Sequence, residues 1–180
     1  MIYVTSDLHF CHNKNFLYEP RGFKNIYEMN EEIIKSWNKI ITPEDDVYIL
    51  GDIMLNDDAV GLSYLHQLNG KLHIAWGNHD TETRKPQIAN SWNVVETDYV
   101  FVIKYHKYTF YLSHYPTITS NYDVDKPLKS RVINLCGHTH DKNPFCDWNK
   151  GLIYHCELDA HNNKPVSLDD IIEDIKSKLN

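Results

Sequence analysis

The sequence predicts an α/β fold built on mixed β-sheets. Short apolar runs that empty into polar clusters alternate with helical patterns early in the chain, and strand-like runs then follow one another without helices between them. Residues 2–9 (IYVTSDLH), 47–52 (VYILGD), 72–80 (LHIAWGNHD) and 132–140 (VINLCGHTH) each read as a buried strand passing into a loop.

A first helix follows the first strand, because Ile26, Ile33, Ile34, Trp37, Ile40 and Ile41 fall on one face. A second carries Leu62, Leu65 and Leu68 and is closed by Asn69-Gly70. Residues 100–105 and 108–112 flank a His106-Lys107 turn and predict an antiparallel hairpin, although neither turn residue is the favoured Gly or Asn. A last strand is expected over 152–158, after the loop around Pro144. The terminal helix begins after Ser167, with Asp170 at the acid position of a capping box and Leu168, Ile171, Ile172, Ile175 and Leu179 on its buried face. No repeat, low-complexity segment or linker interrupts the chain, so one domain is expected over residues 1–180.

Composition narrows the function. No apolar run approaches the roughly 18 residues of a membrane span, and the start lacks the zones of a secretory signal, so a soluble cytoplasmic protein with no membrane partner is expected. Cys11, Cys136, Cys146 and Cys156 form no CxxC pair, which argues for reduced thiols and against a cysteine zinc site. A net charge of −7 argues against a general grip on a nucleic-acid backbone. Eleven histidines, several beside Gly, Asp or Asn, point to a metal site.

Ligand-type side chains sit just past the strand ends, where loops of an open α/β sheet converge. Asp7 and His9 follow the first strand, Asp52 the second, Asn78 and His79 the third, His114 the hairpin, and His138 and His140 the next strand. Residues two apart on an extended chain face one side, so Asp7 with His9 and His138 with His140 could each serve one place, with Gly51, Gly77 and Gly137 allowing sharp turns. Singly each signal is weak. Their ordered recurrence is what carries weight.

That series, DLH at 7–9, GD at 51–52, GNHD at 77–80, SHYP at 113–116 and GHTH at 137–140, resembles the calcineurin-like metallophosphoesterase family. The resemblance implies a sandwich of mixed sheets flanked by helices in four αββα layers. It also implies two divalent cations, manganese first, with iron, zinc or nickel as alternatives. One would take Asp7, His9, Asp52 and His140; the other Asp52, Asn78, His114 and His138. Two such cations lower the pKa of a shared water towards roughly 7, and the bridging hydroxide would attack phosphorus. His79 matches the histidine that protonates the leaving group.

Protein phosphatases of this family read GDxxDRG at the second motif, where this chain has GDIMLND, with Leu55 at the later Asp position and no Arg. Asp57, Asp58 or Asp80 is left to orient His79. The opening DLHFCHNKNF with Arg21-Gly22-Phe23 is similar to small stand-alone members from bacteria and phages. There residues 10–25 would form a lid, with His12, Asn15 and Arg21 contacting substrate, Arg21 by a forked bond to phosphate. The expected reaction is hydrolysis of a phosphomonoester or phosphodiester on a small organic or nucleotide-like substrate. Alternatives are a nuclease, disfavoured by the charge, and a non-catalytic protein-binding scaffold, which would predict eroded ligands. The sequence does not indicate an oligomeric state.

Overall fold

A computed structural model of the chain describes residues 1–119, 127–145 and 152–179; Cys146 lies outside the described residues. Strands β1 (Ile2–Thr5), β2 (Asp46–Ile49), β3 (Lys71–Ala75) and β4 (Val94–Asp98) alternate with helices α1 (Asn15–Tyr18), α2 (Ile26–Ile40), α3 (Asp58–Leu65) and α4 (Lys85–Ala89). Strands β5 (Val100–Tyr105), β6 (Tyr108–Ser113), β7 (Val132–Cys136) and β8 (Ile153–His155) follow, and the two-residue β9 (Val166–Ser167) leads directly into α5 (Leu168–Leu179).

Two mixed sheets result, in the orders β4-β3-β2-β1-β9 and β5-β6-β7-β8. The first is parallel except for β9, while the second pairs β5 and β6 antiparallel and β6, β7 and β8 parallel. Alternation along the strands separates two cores. Val47, Ile49, Leu72 and Ile74 pack with Ile33, Trp37 and Leu65 of the helical layer, whereas Val4, Tyr48, Leu50 and Ala75 face Phe110, Leu112 and Leu135 of the second sheet. Ile171, Ile172 and Ile175 of α5 join this second core. Helices thus flank a pair of stacked sheets.

Local chemistry explains the boundaries. The Asn25 side chain accepts from Glu28 N and starts α2, and Trp37, fully buried, donates Nε1–H to Asn69 O. Ser167 Oγ accepts from Asp170 N and donates to the Asp170 carboxylate, completing the cap expected for α5. The second expected helix is displaced, because Asp57 caps it at Val60 N and it ends at Leu65, leaving Leu68 in the turn before Gly70. His106 supplies the positive φ that the hairpin turn requires. β4, α1, α4 and β9 carry too little periodicity to be read from sequence. No helix among the described residues is long and apolar enough to cross a membrane.

Candidate metal centre

β1 stops at Thr5, so Asp7 and His9 are not on a strand. Both adopt positive φ, at 58° and 52°, as do Asp52 (54°), His138 (76°) and His140 (53°). Strand alternation therefore does not pair these residues as the sequence suggested; left-handed turns aim them. Such turns cost of order 1–3 kcal/mol each and persist only where surrounding contacts impose them. Here Asp7 N donates to Gly51 O (3.1 Å), His9 N to Asp52 O (3.0 Å) and Gly137 N to His114 O (2.9 Å). Of the three glycines, Gly51 has the positive φ (86°), while Gly137 is required for space, since a Cβ there would overlap Ser6 Oγ.

His138 and His140 do not serve one place. His140 joins Asp7 and His9, and His138 joins Asp52 and His114. In the first group His9 Nε2 lies 3.1 Å from His140 Nε2, and Asp7 Oδ1 lies 3.5 and 3.7 Å from those nitrogens. In the second, His114 Nε2 lies 2.9 Å from Asn78 Oδ1, 3.2 Å from His138 Nδ1 and 3.6 Å from Asp52 Oδ2. Asp52 Oδ2 is also 3.7 Å from His9 Nε2, so one carboxylate oxygen faces both groups.

These residues fit cations. Ligand nitrogens about 2.1 Å from one ion are roughly 3 Å apart at tetrahedral or octahedral angles. Asp7 Oδ1 is buried with no hydrogen-bond partner among the described residues, which is costly unless something positive faces it. Burial would raise the Asp7 carboxyl, but the His9 ring 3.5 Å away, with the charges of His140 and His114, holds it down at about 2. The oxygen is thus available as an anion.

A second layer, unmarked in the sequence, orients the first. Asp159 accepts from His140 Nδ1 at 3.0 Å, leaving Nε2 aimed at Asp7. Desolvation pushes the Asp159 carboxyl up, yet hydrogen bonds from His140 and Arg21 hold it well below the usual range. Glu157, fully buried, accepts from Thr139 N (3.2 Å) and Thr139 Oγ1 (2.8 Å) and so fixes the loop between His138 and His140.

Arg21 is committed to Asp159 and not to the phosphate contact expected of it. Its forked bond exists, but Nε and Nη2 grip Asp159 at 3.0 and 2.6 Å, and the side chain is only 1% exposed. Nη2 also donates to Asp7 O (2.8 Å) and Nη1 to Leu8 O (3.4 Å). Arg21 therefore ties the 7–9 loop to Asp159 and does not line the cavity over His9 and His140.

His79 stands 44% exposed, with Nε2 3.9 Å from Asp52 Oδ2. Its N–H donates to Asp52 Oδ1 (2.9 Å) and its carbonyl accepts from Arg84 Nη1 (2.6 Å). The carboxylates considered for its ring are engaged elsewhere. Asp57 caps α3, Asp58 pairs with Arg84 Nε (2.6 Å), and Asp80 accepts from Asp52 N, Ile53 N and Gly77 N. Arg84 and Asp58 thus hold His79 through its backbone. Arg84 lies on no motif, so only its burial reveals this role.

Over His9 and His140 of the first group, and beside His79, opens a cavity of about 510 Å³. His9, His79 and His140 form its base, His12, Phe16, Leu17 and Pro20 one wall, and Lys142 a further side. His12 is thus placed at the site. Asn15 does not line the cavity; its Oδ1 accepts from Phe16 N.

Residues 1–155 match the model of the calcineurin-like phosphoesterase superfamily domain. An uncharacterized protein of Methanocaldococcus jannaschii is 34% identical over 180 residues, covering 96% of this chain and 89% of its own. The Gene 66 protein of Mycobacterium phage L5 is 26% identical over 162 residues, covering 77% of this chain and 76% of its own. Among solved structures, a protein of unknown function from Aquifex aeolicus is similar in fold, with a TM-score of 0.70 at 23% identity over 96% of this chain and 98% of its own.

Proposed function

Because the chain belongs to the calcineurin-like phosphoesterase superfamily, we propose that it hydrolyses esters of phosphate on a small organic substrate, using two divalent cations with manganese as the first choice. The observation that carries this reading is Asp52, 2% exposed, whose Oδ2 stands between one Asp-His-His group and a second group completed by Asn78. Asp7, His9, Asp52 and His140 would hold one ion, and Asp52, Asn78, His114 and His138 the other. When bound, such a pair supplies Lewis acidity towards the phosphoryl oxygens and an activated water at neutral pH.

The remaining work falls to the protein. Asp159 and Arg21 keep His140 and the 7–9 loop in register, and Glu157 does the same for the 138–140 loop. His79, half-exposed at the base of the cavity and fixed through its backbone, would pass a proton to the departing ester oxygen. The net charge of −7 favours a small ester over a nucleic-acid polymer.

Release of nitrophenol from bis(p-nitrophenyl) phosphate tests the reading. Turnover is expected with manganese and is abolished by a chelator. Asp52→Ala is expected to retain about 1% of the rate or less, since outer-layer partners alone are worth roughly 10–100-fold. Silence of the wild type with every divalent metal tried would overturn the proposal.

A further inference from the structure

One wall of the cavity is chemically unlike its base. Phe16 is 68% exposed and belongs to neither hydrophobic core, so its ring does little for folding. It is nevertheless firmly mounted, because the next residue, Leu17, is 5% exposed and packs into the helical core. His12 meets Phe16 edge-on, with ring centroids 5.8 Å apart at 86°. His12 lies in turn 5.2 Å from the His9 ring and 6.2 Å from that of His79. A succession of rings therefore leads from the ligand groups to Phe16, and Pro20 extends the apolar surface beside it.

A phosphoryl group held at the clusters would direct its organic arm along this wall. Aromatic rings gain from stacking or edge contacts with such a surface beyond what burial alone provides. The cavity's size, about 510 Å³, accommodates an arm of nucleoside dimensions, within the roughly 300–1,000 Å³ of small-molecule sites. Lys142 places a cation in the same cavity, suited to an anionic ester.

Resting on the phosphoesterase reading, we propose that Phe16, with His12, Leu17 and Pro20, forms a subsite for a planar aromatic arm, so that the substrates are aryl or nucleoside phosphate esters rather than sugar or other aliphatic phosphates.

Phosphonates, which are not hydrolysed, test the subsite apart from the reaction. Phenyl-, cyclohexyl- and methylphosphonate are titrated calorimetrically into the manganese-loaded protein, beside a turnover assay with bis(p-nitrophenyl) phosphate. Wild type is expected to bind phenylphosphonate about tenfold more tightly than methylphosphonate and more tightly than the cyclohexyl compound. Phe16→Ala, at an exposed position, is expected to reduce the phenyl-over-methyl preference to about twofold, and Phe16→Tyr to restore it. Equal binding of phenyl and methyl compounds, a preference unchanged in Phe16→Ala, cyclohexyl binding as tight as phenyl, or no binding of any phosphonate overturns the subsite. Turnover without ring preference removes the subsite and leaves the esterase reading; a Phe16-dependent preference without turnover does the reverse.

Discussion

Asp159 lies in a Leu-Asp-Ala turn that carries no motif, yet it holds His140 and Arg21 together. Replacing it by Asn keeps the shape and removes the charge. Manganese affinity, read by titration, is expected to fall roughly 10–100-fold. The same variant tests the acid limb of stability. The folded pKa lies below the ordinary 3.8, so the carboxylate's contribution is complete above that value and is lost as pH falls below it. The gap in urea midpoint between metal-free wild type and Asp159→Asn is therefore expected to narrow below about pH 4. Arg21→Ala should act on stability before it acts on substrate binding. It leaves Asp159, with a side chain 7% exposed, without its forked partner, and urea unfolding is expected to show a loss of about 3–5 kcal/mol. Sequence reasoning identified Arg21 as a forked donor but could not name its acceptor, because 138 positions separate it from Asp159.

Elements whose signals are local were legible at their ends. Ser167 and Asp170 marked the start of α5 because a capping box is complete within four residues. Ser167→Ala is expected to cost about 0.5–2 kcal/mol in urea unfolding with turnover unchanged, as the cap lies on β9 beside Leu168 of the second core and not among the ligand loops. The hairpin of β5 and β6 was legible for the same reason, with its partners adjacent in the chain. β4 was not, since Val94–Asp98 is a short edge strand with an irregular burial pattern and earns its place by pairing with β3. The turns after β1 and β7 also escaped. An alternating Asp-x-His or His-x-His reads as extended chain, and only backbone contacts from neighbouring strands hold these residues at positive φ.

At the scale of the molecule, the two candidate cation sites join loops from both sheets. Asp7, His9, Asp52 and Asn78 follow strands of the first, and His114, His138 and His140 follow strands of the second. Cations bound there should act as staples between the sheets. At manganese concentrations of about 100 times Kd, each site adds roughly 2.7 kcal/mol, and a calorimetric scan is expected to show Tm rising by about 5–10 °C per site filled. Asp52→Ala should lose most of that rise, because its carboxylate faces both groups. The sequence by itself determined the α/β class, the order of the principal elements and the identity of the ligand-type side chains, since periodicity, caps and motifs are encoded among near neighbours. Tertiary structure alone decided that Asp159, Glu157 and Arg84 support the ligand loops, that left-handed turns aim the ligands, and that Arg21 is turned inward. Those outcomes depend on contacts between residues far apart in the chain, whose energies no local pattern records.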